Sequence, residues 1–120
     1  MADYNSIFTG AEIDDAIDQV RFPVLTIVDK TASFNFTTAE LNTLVNANSS
    51  SAIVCTILAD TSFDAAIGTV LMVNRIGTGA VSFAAGSGVT FQAGNGQSIT
   101  AQYRYGVAIK KAANLWSVIC

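Results

Sequence analysis

The sequence predicts a mainly β protein, a sandwich-like or jelly-roll-like domain with an N-terminal amphipathic helix and one short internal helix. Two observations predict the sheets. Short runs of β-branched and aromatic residues recur after residue 23, and turn signals separate them about every ten residues. A third predicts the helices, because two Thr-x-x-Glu capping-box patterns precede apolar residues. We expect residues 1–22 to form a helical attachment or trimerisation segment and residues 23–120 to form the β domain.

The first helix is predicted to begin after Thr9. Thr9 and Glu12 have the spacing of a capping box, and the acidic residues that follow suit the helix dipole, while Pro23 bars further helix. The apolar side of this helix comprises Ile13, Ile17 and Val20, and Phe8, just before the cap, is placed to contact Ile13 as a hydrophobic staple. A helix this short is marginal alone in water, so the apolar stripe must pack on something. Its own β core, a sister helix around a threefold axis and a socket on a partner all remain open.

The second capping box, formed by Thr37 and Glu40, predicts a short helix or helical turn over residues 38–47. Its apolar side would comprise Leu41, Leu44 and Val45. The rest of the β domain is predicted to consist of strands and turns. The candidate strands are residues 24–28, 33–36, 52–58, 69–76, 80–85, 89–93, 98–103, 106–112 and 115–119.

The composition indicates an oligomer. Apolar residues make up 51% of the 120 residues and charged residues only 12%, about half the usual fraction. A single domain of this length has a large surface for its volume, so one copy cannot hide all of that apolar content. No apolar stretch approaches the ~18 residues of a membrane helix, and the acidic N-terminus does not resemble a secretory signal. We therefore expect synthesis in a cytoplasm and no membrane partner.

Charge is distributed unevenly along the chain. Residues 1–64 carry all nine acidic side chains and two basic ones, a net charge of −7, whereas residues 65–120 carry four basic side chains and no acidic one, a net charge of +4. Such an asymmetry can orient a protein on a partner or stack copies head to tail. The same asymmetry is equally expected if the β region simply contains few charged residues. Four scattered cations are too few for a nucleic-acid interface, so we expect no nucleic-acid partner.

For each group of potentially reactive residues, a structural interpretation is favoured over a catalytic or ligand-binding one. Histidine is absent, which removes the commonest general base and the Ser-His-Asp and Cys-His arrangements. The three Gly-x-Gly pairs lack the third glycine of a dinucleotide loop and are predicted to form turns. Asp14, Asp15 and Asp18 are interpreted as the solvated side of the first helix, and Asp60 with Asp64 as loop residues. We expect no catalytic residues, no cofactor and no metal.

The two cysteines are predicted to be free thiols. Cys55 lies in the apolar run AIVCTIL and is interpreted as a small core residue, whereas Cys120 is the last residue of the sequence. Two cysteines in a chain of this length do not make a disulfide framework.

The chain resembles virion proteins of tailed phages. Residues 4–17, YNSIFTGAEIDDAI, resemble the N-terminal helix motif of many fibre and head-fibre proteins. Residues 31–41, 49–58, 67–91 and 105–119 resemble a β module common in the same proteins, with GTGAVSFAAGSGVTF and the later NLW as its more specific marks. This resemblance implies a homotrimeric, non-enzymatic β structure on the phage particle.

The small size favours capsid decoration, as a cement or head-fibre protein that binds the major capsid protein at the virion surface. The alternative is a tail-fibre or receptor-binding tip that recognises a host surface glycan. The residues expected to contact other copies or the capsid are Phe8, Ile13, Ile17, Val20, Arg75 and Trp116. A sugar-binding jelly roll would instead stack Trp116, Tyr103 and Tyr105 on a ring, and a depolymerase would need a carboxylate pair such as Asp60 and Asp64.

Overall fold

The structure, a computed structural model, describes residues 24–120, and this part of the chain is mainly β. Its strands are β1 (Thr26–Lys30), β2 (Phe34–Asn35), β3 (Thr43–Ala47), β4 (Ile53–Ile57), β5 (Val70–Arg75), β6 (Val81–Ala85), β7 (Thr90–Gln92), β8 (Ser98–Ile99), β9 (Tyr105–Ala112) and β10 (Leu115–Ile119). A single turn of 3-10 helix, Thr38–Glu40, lies between β2 and β3. The predicted strands are therefore confirmed in the main, although several are shorter than the patterns that predict them.

The strands form two sheets. A six-stranded sheet has the order β1-β3-β5-β9-β10-β7, and a four-stranded sheet has the order β2-β4-β6-β8. The chain alternates between the sheets over β1 to β6, so that successive pairs of strands stack as coils of a solenoid. Strands β1, β3 and β5 pair in parallel in one sheet, and β2, β4 and β6 pair in parallel in the other.

The last strands close this stack mostly with antiparallel pairs, although β7 pairs in parallel with β10. Strand β9 pairs antiparallel with β5 and with β10, and β8 pairs antiparallel with β6. A jelly roll is built from antiparallel strands throughout, so the parallel coils of β1 to β6 differ from that prediction. The difference arises because regularly spaced strands and turns are compatible with both hairpins and solenoid coils, and only the pairing distinguishes them.

The core lies between the two sheets and takes alternate residues from most of the strands. In the six-stranded sheet, Val45 pairs with Val73, and in the four-stranded sheet Cys55 pairs with Phe83. All four side chains are buried. Phe36 and Phe83 stack with ring centroids 6.1 Å apart. Because side chains alternate between the faces of a strand, each buried residue is followed by one that points away from the core.

The second capping box is confirmed, but the helix is shorter than predicted. Thr37 N–H donates to Glu40 Oε1 at 2.8 Å, and Ala39 N–H donates to Thr37 Oγ1 at 3.2 Å. The helix ends after Glu40, and the prediction that it continues to residue 47 is wrong. Thr43–Ala47 forms β3 instead, with Thr43, Val45 and Ala47 buried on alternate positions. Pairing with β1 and β5 outweighs the helical spacing of the apolar residues in this segment.

The Gly-x-Gly pairs lie in turns and loops between strands, as predicted. Gly88 and Gly96 adopt positive φ angles of 86° and 85°, which glycine tolerates without steric cost. Gly77 and Gly79 are needed for a different reason, because a Cβ at either position would collide with the backbone of Ser49 or Ser51 in the preceding coil. The first pair therefore allows two successive coils to approach closely.

The predicted N-terminal helix lies outside the described residues, as do Phe8, Ile13, Ile17 and Val20. Within residues 24–120, no helix is both long and apolar enough to cross a membrane.

Candidate interaction surface

The outer side of the six-stranded sheet carries a continuous row of apolar side chains. The strand register aligns Ile27 with Leu44, Leu44 with Met72, Met72 with Val107, and Val107 with Ile119. These five residues lie on five adjacent strands and point away from the core. On β3, β5, β9 and β10, the neighbouring residues in the chain are buried, and side chains alternate between the two sides of a strand. Ile27 and Ile119, at the two ends of the row, are 55% and 54% exposed.

A second row extends this surface along the strands. Val70 on β5 pairs with Ile109 on β9, two residues away from Met72 and Val107 respectively. We define the apolar face as Ile27, Leu44, Val70, Met72, Val107, Ile109 and Ile119. A groove of about 370 Å³ lies at its edge, where Leu25 and Leu41 approach Val70. A contiguous exposed apolar surface is typical of a binding site.

Polar residues border the apolar face at one end. The register aligns Asp29 with Asn46, Asn46 with Asn74, and Asn74 with Tyr105. This polar row crosses four strands, and Tyr105 at its end is 52% exposed. Apolar and polar rows therefore follow one another along the same strands.

The outer side of the four-stranded sheet has a different character. We define the polar face as Asn35, Val54, Thr56, Ser82, Ala84 and Ser98. Its members are small or polar, and Val54 is the largest apolar side chain among them. Such a surface is compatible with water without a partner.

Arg75, a predicted contact residue, is occupied within its own chain. The guanidinium donates to three backbone carbonyls, those of Ile99 at 3.0 Å, Thr78 at 2.6 Å and Gly77 at 3.4 Å. These bonds tie the loop after β5 to the end of β8. The structure therefore gives Arg75 a role in holding the coils together.

Trp116, the other predicted contact residue in the β domain, lies in the core. Its side chain is 1% exposed and stacks on Phe63, with ring centroids 6.0 Å apart and an angle of 8° between the planes. An indole buried in this way cannot touch a capsid or a sugar. The assignment of Trp116 to an interface is corrected by this burial, since β10 turns this residue toward the opposite sheet.

The carboxylate of Asp60 is paired with a lysine. Lys110 Nζ lies 2.9 Å from Asp60 Oδ1 and donates to the carbonyl of Ala65 at 2.6 Å, although Lys110 itself is only 4% exposed. The hydrogen bond from Lys110 holds the pKa of Asp60 below its ordinary value, against the opposing effect of burial, and the backbone N–H of Asn114 adds to the lowering. Asp60 thus anchors the loop between β4 and β5, and this contact gives it a structural role.

The basic half of the sequence does not produce a basic surface. Arg75 and Lys110 are bound to groups of their own chain, as described above. Arg104 donates to Thr100 Oγ1 at 3.2 Å, and Lys111 donates to Gln92 Oε1 at 2.9 Å, both at exposed positions. Two of the four cations that distinguish residues 65–120 therefore stabilise the fold, which the charge count alone could not reveal.

Both cysteines are free thiols, as predicted. Cys55 is fully buried, and burial raises the pKa of its thiol to about 12, with a smaller contribution from the nearby Cys120. Burial also raises the pKa of the Cys120 thiol. Thiols with raised pKa values are poor nucleophiles at neutral pH, so these residues contribute to packing.

Residues 24–120 contain no cluster of acidic or cysteine side chains arranged to hold a metal ion. No family model, curated protein or solved structure matches this chain. The surface that sequence reasoning missed is the apolar face. Its residues stand out only as alternate positions of separate strands, and their alignment into one row requires the pairing of segments far apart in the sequence.

Proposed function

We propose that this protein is a non-enzymatic structural protein of a tailed-phage virion that decorates the capsid as a homotrimer and binds the major capsid protein. The apolar face is the observation that carries the proposal. It extends across five strands of a sheet whose other side already packs on the core. A face of this kind needs a protein partner, whereas a monomeric enzyme would keep its surface polar and concentrate its chemistry in a cleft.

The sequence resemblance supports the virion assignment. The motif of residues 4–17 supports an N-terminal amphipathic helix in residues 1–22, with Phe8, Ile13, Ile17 and Val20 as its contact side. We propose that this helix attaches the trimer to the capsid or holds its chains together. Three such contacts in one rigid trimer would act together, because the second and third bind at a high effective concentration.

A binding assay on particles tests this function. Purified protein is expected to co-sediment with capsids that lack it, in a copy number comparable to that of capsomers, and to leave host cells unbound. A chain lacking residues 1–20 should lose capsid attachment or trimerisation. If the shortened chain still forms trimers and decorates capsids, the role given to the helix is wrong.

The second candidate function is a receptor-binding tip of a tail fibre. Tyr103 and Tyr105 favour it, because they are 70% and 52% exposed and aromatic rings of this kind stack on sugars. A glycan-array screen separates the two functions. Selective binding of one glycan, lost in a Tyr103→Ala/Tyr105→Ala variant, would favour the fibre tip over capsid decoration.

A further inference from the structure

We propose that Asn95 is a self-modification site, where the backbone nitrogen of Gly96 attacks the side-chain amide and converts the asparagine into aspartate or isoaspartate. The site lies outside the surfaces described above and is independent of the proposed function. Three properties of the loop between β7 and β8 support it. They are the identity of the residue after Asn95, the exposure of the turn and the open space around Gly96.

The reaction needs no partner molecule other than water. The amide nitrogen of Gly96 gives up its proton to solvent base and bonds to Cγ of Asn95, and the side-chain nitrogen takes up a proton and leaves as ammonia. The product is a five-membered succinimide ring. Water then opens the ring at either of its two carbonyls. One opening leaves aspartate at this position, and the other leaves isoaspartate, in which the main chain continues through the side-chain carbons.

The loop between β7 and β8 presents both reacting groups to solvent. Asn95 is exposed, and Gly96 carries no side chain that could shield its nitrogen. Gly96 has a φ of 85°, and a Cβ on Gly94 or Gly96 would meet nothing within 4 Å. The N–H of Gly96 donates to the carbonyl of Ala93 at 3.2 Å, at the long end of the ordinary range. This bond must open before the nitrogen attacks, and exposed turns open at a low free energy.

Asn48 shows how the fold protects the same residue type elsewhere. Asn48 is also exposed, but the residue after it, Ser49, is held beneath the next coil. A Cβ on Gly77 would collide with the backbone nitrogen and carbonyl of Ser49, and that carbonyl accepts from Gly79 N–H at 2.8 Å. The Ser49 nitrogen therefore cannot approach the Asn48 side chain unless the two coils separate.

The other asparagines of residues 24–120 are also restrained. Three lie within strands, one precedes a buried threonine, and one accepts a hydrogen bond of 2.8 Å from Asp60 N–H on its side-chain oxygen. In that order they are Asn35, Asn46, Asn74, Asn42 and Asn114. None of them is followed by glycine, whose missing side chain leaves the attacking nitrogen least hindered. Asn95 thus differs from them both in sequence and in structure.

Ageing of the full-length protein tests the site. At about pH 8.5 the intact mass should rise by ~1 Da, and peptide mapping should place the change at Asn95. The rate should be more than ~10-fold higher at about pH 8.5 than at about pH 6, because the nitrogen attacks in its deprotonated form. An enzyme that methylates isoaspartyl carboxylates should label the same peptide.

An Asn95→Gln variant is the matched control. Its longer side chain would have to close a six-membered ring, so the peptide that contains residue 95 should keep its mass and stay unlabelled. Modification of the wild type that appears first at any other asparagine of residues 24–120 would overturn the proposal. An Asn95 amide that survives as long as the Asn48 amide would do the same.

Comparison with the chain unfolded in urea separates the effect of the fold from that of the Asn-Gly pair. Unfolding releases Ser49 from the next coil, so Asn48 should react faster than in the folded protein. The ratio of the Asn95 rate to the Asn48 rate should therefore fall on unfolding. A ratio that stays level or rises would mean that the turn protects Asn95 as well as the coils protect Asn48, and the proposed site would be wrong.

Discussion

The outer faces of the two sheets are built from the same kind of strand but differ in chemistry. On the six-stranded sheet, aligned residues form the apolar row from Ile27 to Ile119, whereas on the four-stranded sheet the aligned rows are Asn35, Thr56 and Ala84, and Val54, Ser82 and Ser98. The inward residues of both sheets are mostly apolar, and Thr43 and Lys110 are buried polar exceptions on the six-stranded sheet. The core of residues 24–120 is therefore built from the inner faces, and the apolar outer face has the composition typical of a surface that binds a partner.

The largest effect is expected inside the four-stranded sheet. Phe83→Ala removes a ring that is 3% exposed and stacked on Phe36, so the free energy of unfolding should fall by about 3–5 kcal/mol. Ser82→Ala, one residue earlier on the outer side of the same strand, should change it by less than about 0.5 kcal/mol. Urea denaturation measures both. Equal losses would mean that the inner and outer faces have been assigned incorrectly.

The second-largest effect is expected on the association constant of the trimer and not on the stability of the fold. Ile119→Ser removes an apolar side chain from one end of the apolar face and should weaken trimer association by about 1–3 kcal/mol per chain. Val54→Ser makes a similar change on the polar face and should leave the association constant unchanged. Sedimentation equilibrium over a dilution series reports both constants. Equal association constants for the two variants would contradict the role of the apolar face in association.

A smaller effect is expected at the capping box, which lies between β2 and β3. Thr37→Ala removes the oxygen that accepts from Ala39 N–H and should lower the free energy of unfolding by about 1 kcal/mol. The neighbouring Thr38→Ala is the control, since Thr38 is exposed. Thermal unfolding compares them. The trimer should persist in both variants, because this turn belongs to neither outer face. Dissociation of the Thr37→Ala variant would mean that the turn contributes to the contact between chains.

The smallest effect is expected from acid. The folded state lowers the pKa of Asp60, so its contribution to stability is complete above the ordinary carboxyl pKa of ~3.9 and is lost as the pH falls through the lowered folded value. Asp60→Asn should therefore be less stable than the wild type at pH 7 and approach it in strong acid. Association of the wild type should not change between about pH 5 and 8, because no residue of the apolar face titrates there. Unfolding curves and sedimentation across this range check the two statements.

Local sequence signals predicted the local structure well. The Thr37–Glu40 capping box forms as its spacing requires, and the glycine pairs lie in turns and loops. Cys55 lies in the core, as its apolar surroundings indicate. Each of these features depends on residues within a few positions of one another, so the sequence contains what is needed to predict it.

The errors concern contacts between distant residues. The helix predicted to reach residue 47 gives way to β3, because Leu44 pairs with Ile27 and with Met72. Trp116 is placed in the core by stacking on Phe63. The hydrogen bond from Arg75 to the carbonyl of Ile99 was also not predicted, while the contact role expected of Arg75 stays a prediction. None of these partners is visible from the segment in which the residue lies.

The sequence by itself determined that this chain is mainly β and approximately where most of its strands begin and end. Only the tertiary structure decided that the coils pair in parallel and that apolar residues of five separate strands align on the outer side of the six-stranded sheet. The reason is the two-residue period of a strand: it fixes which residues share a side, but the register between strands fixes whether those sides align into a surface.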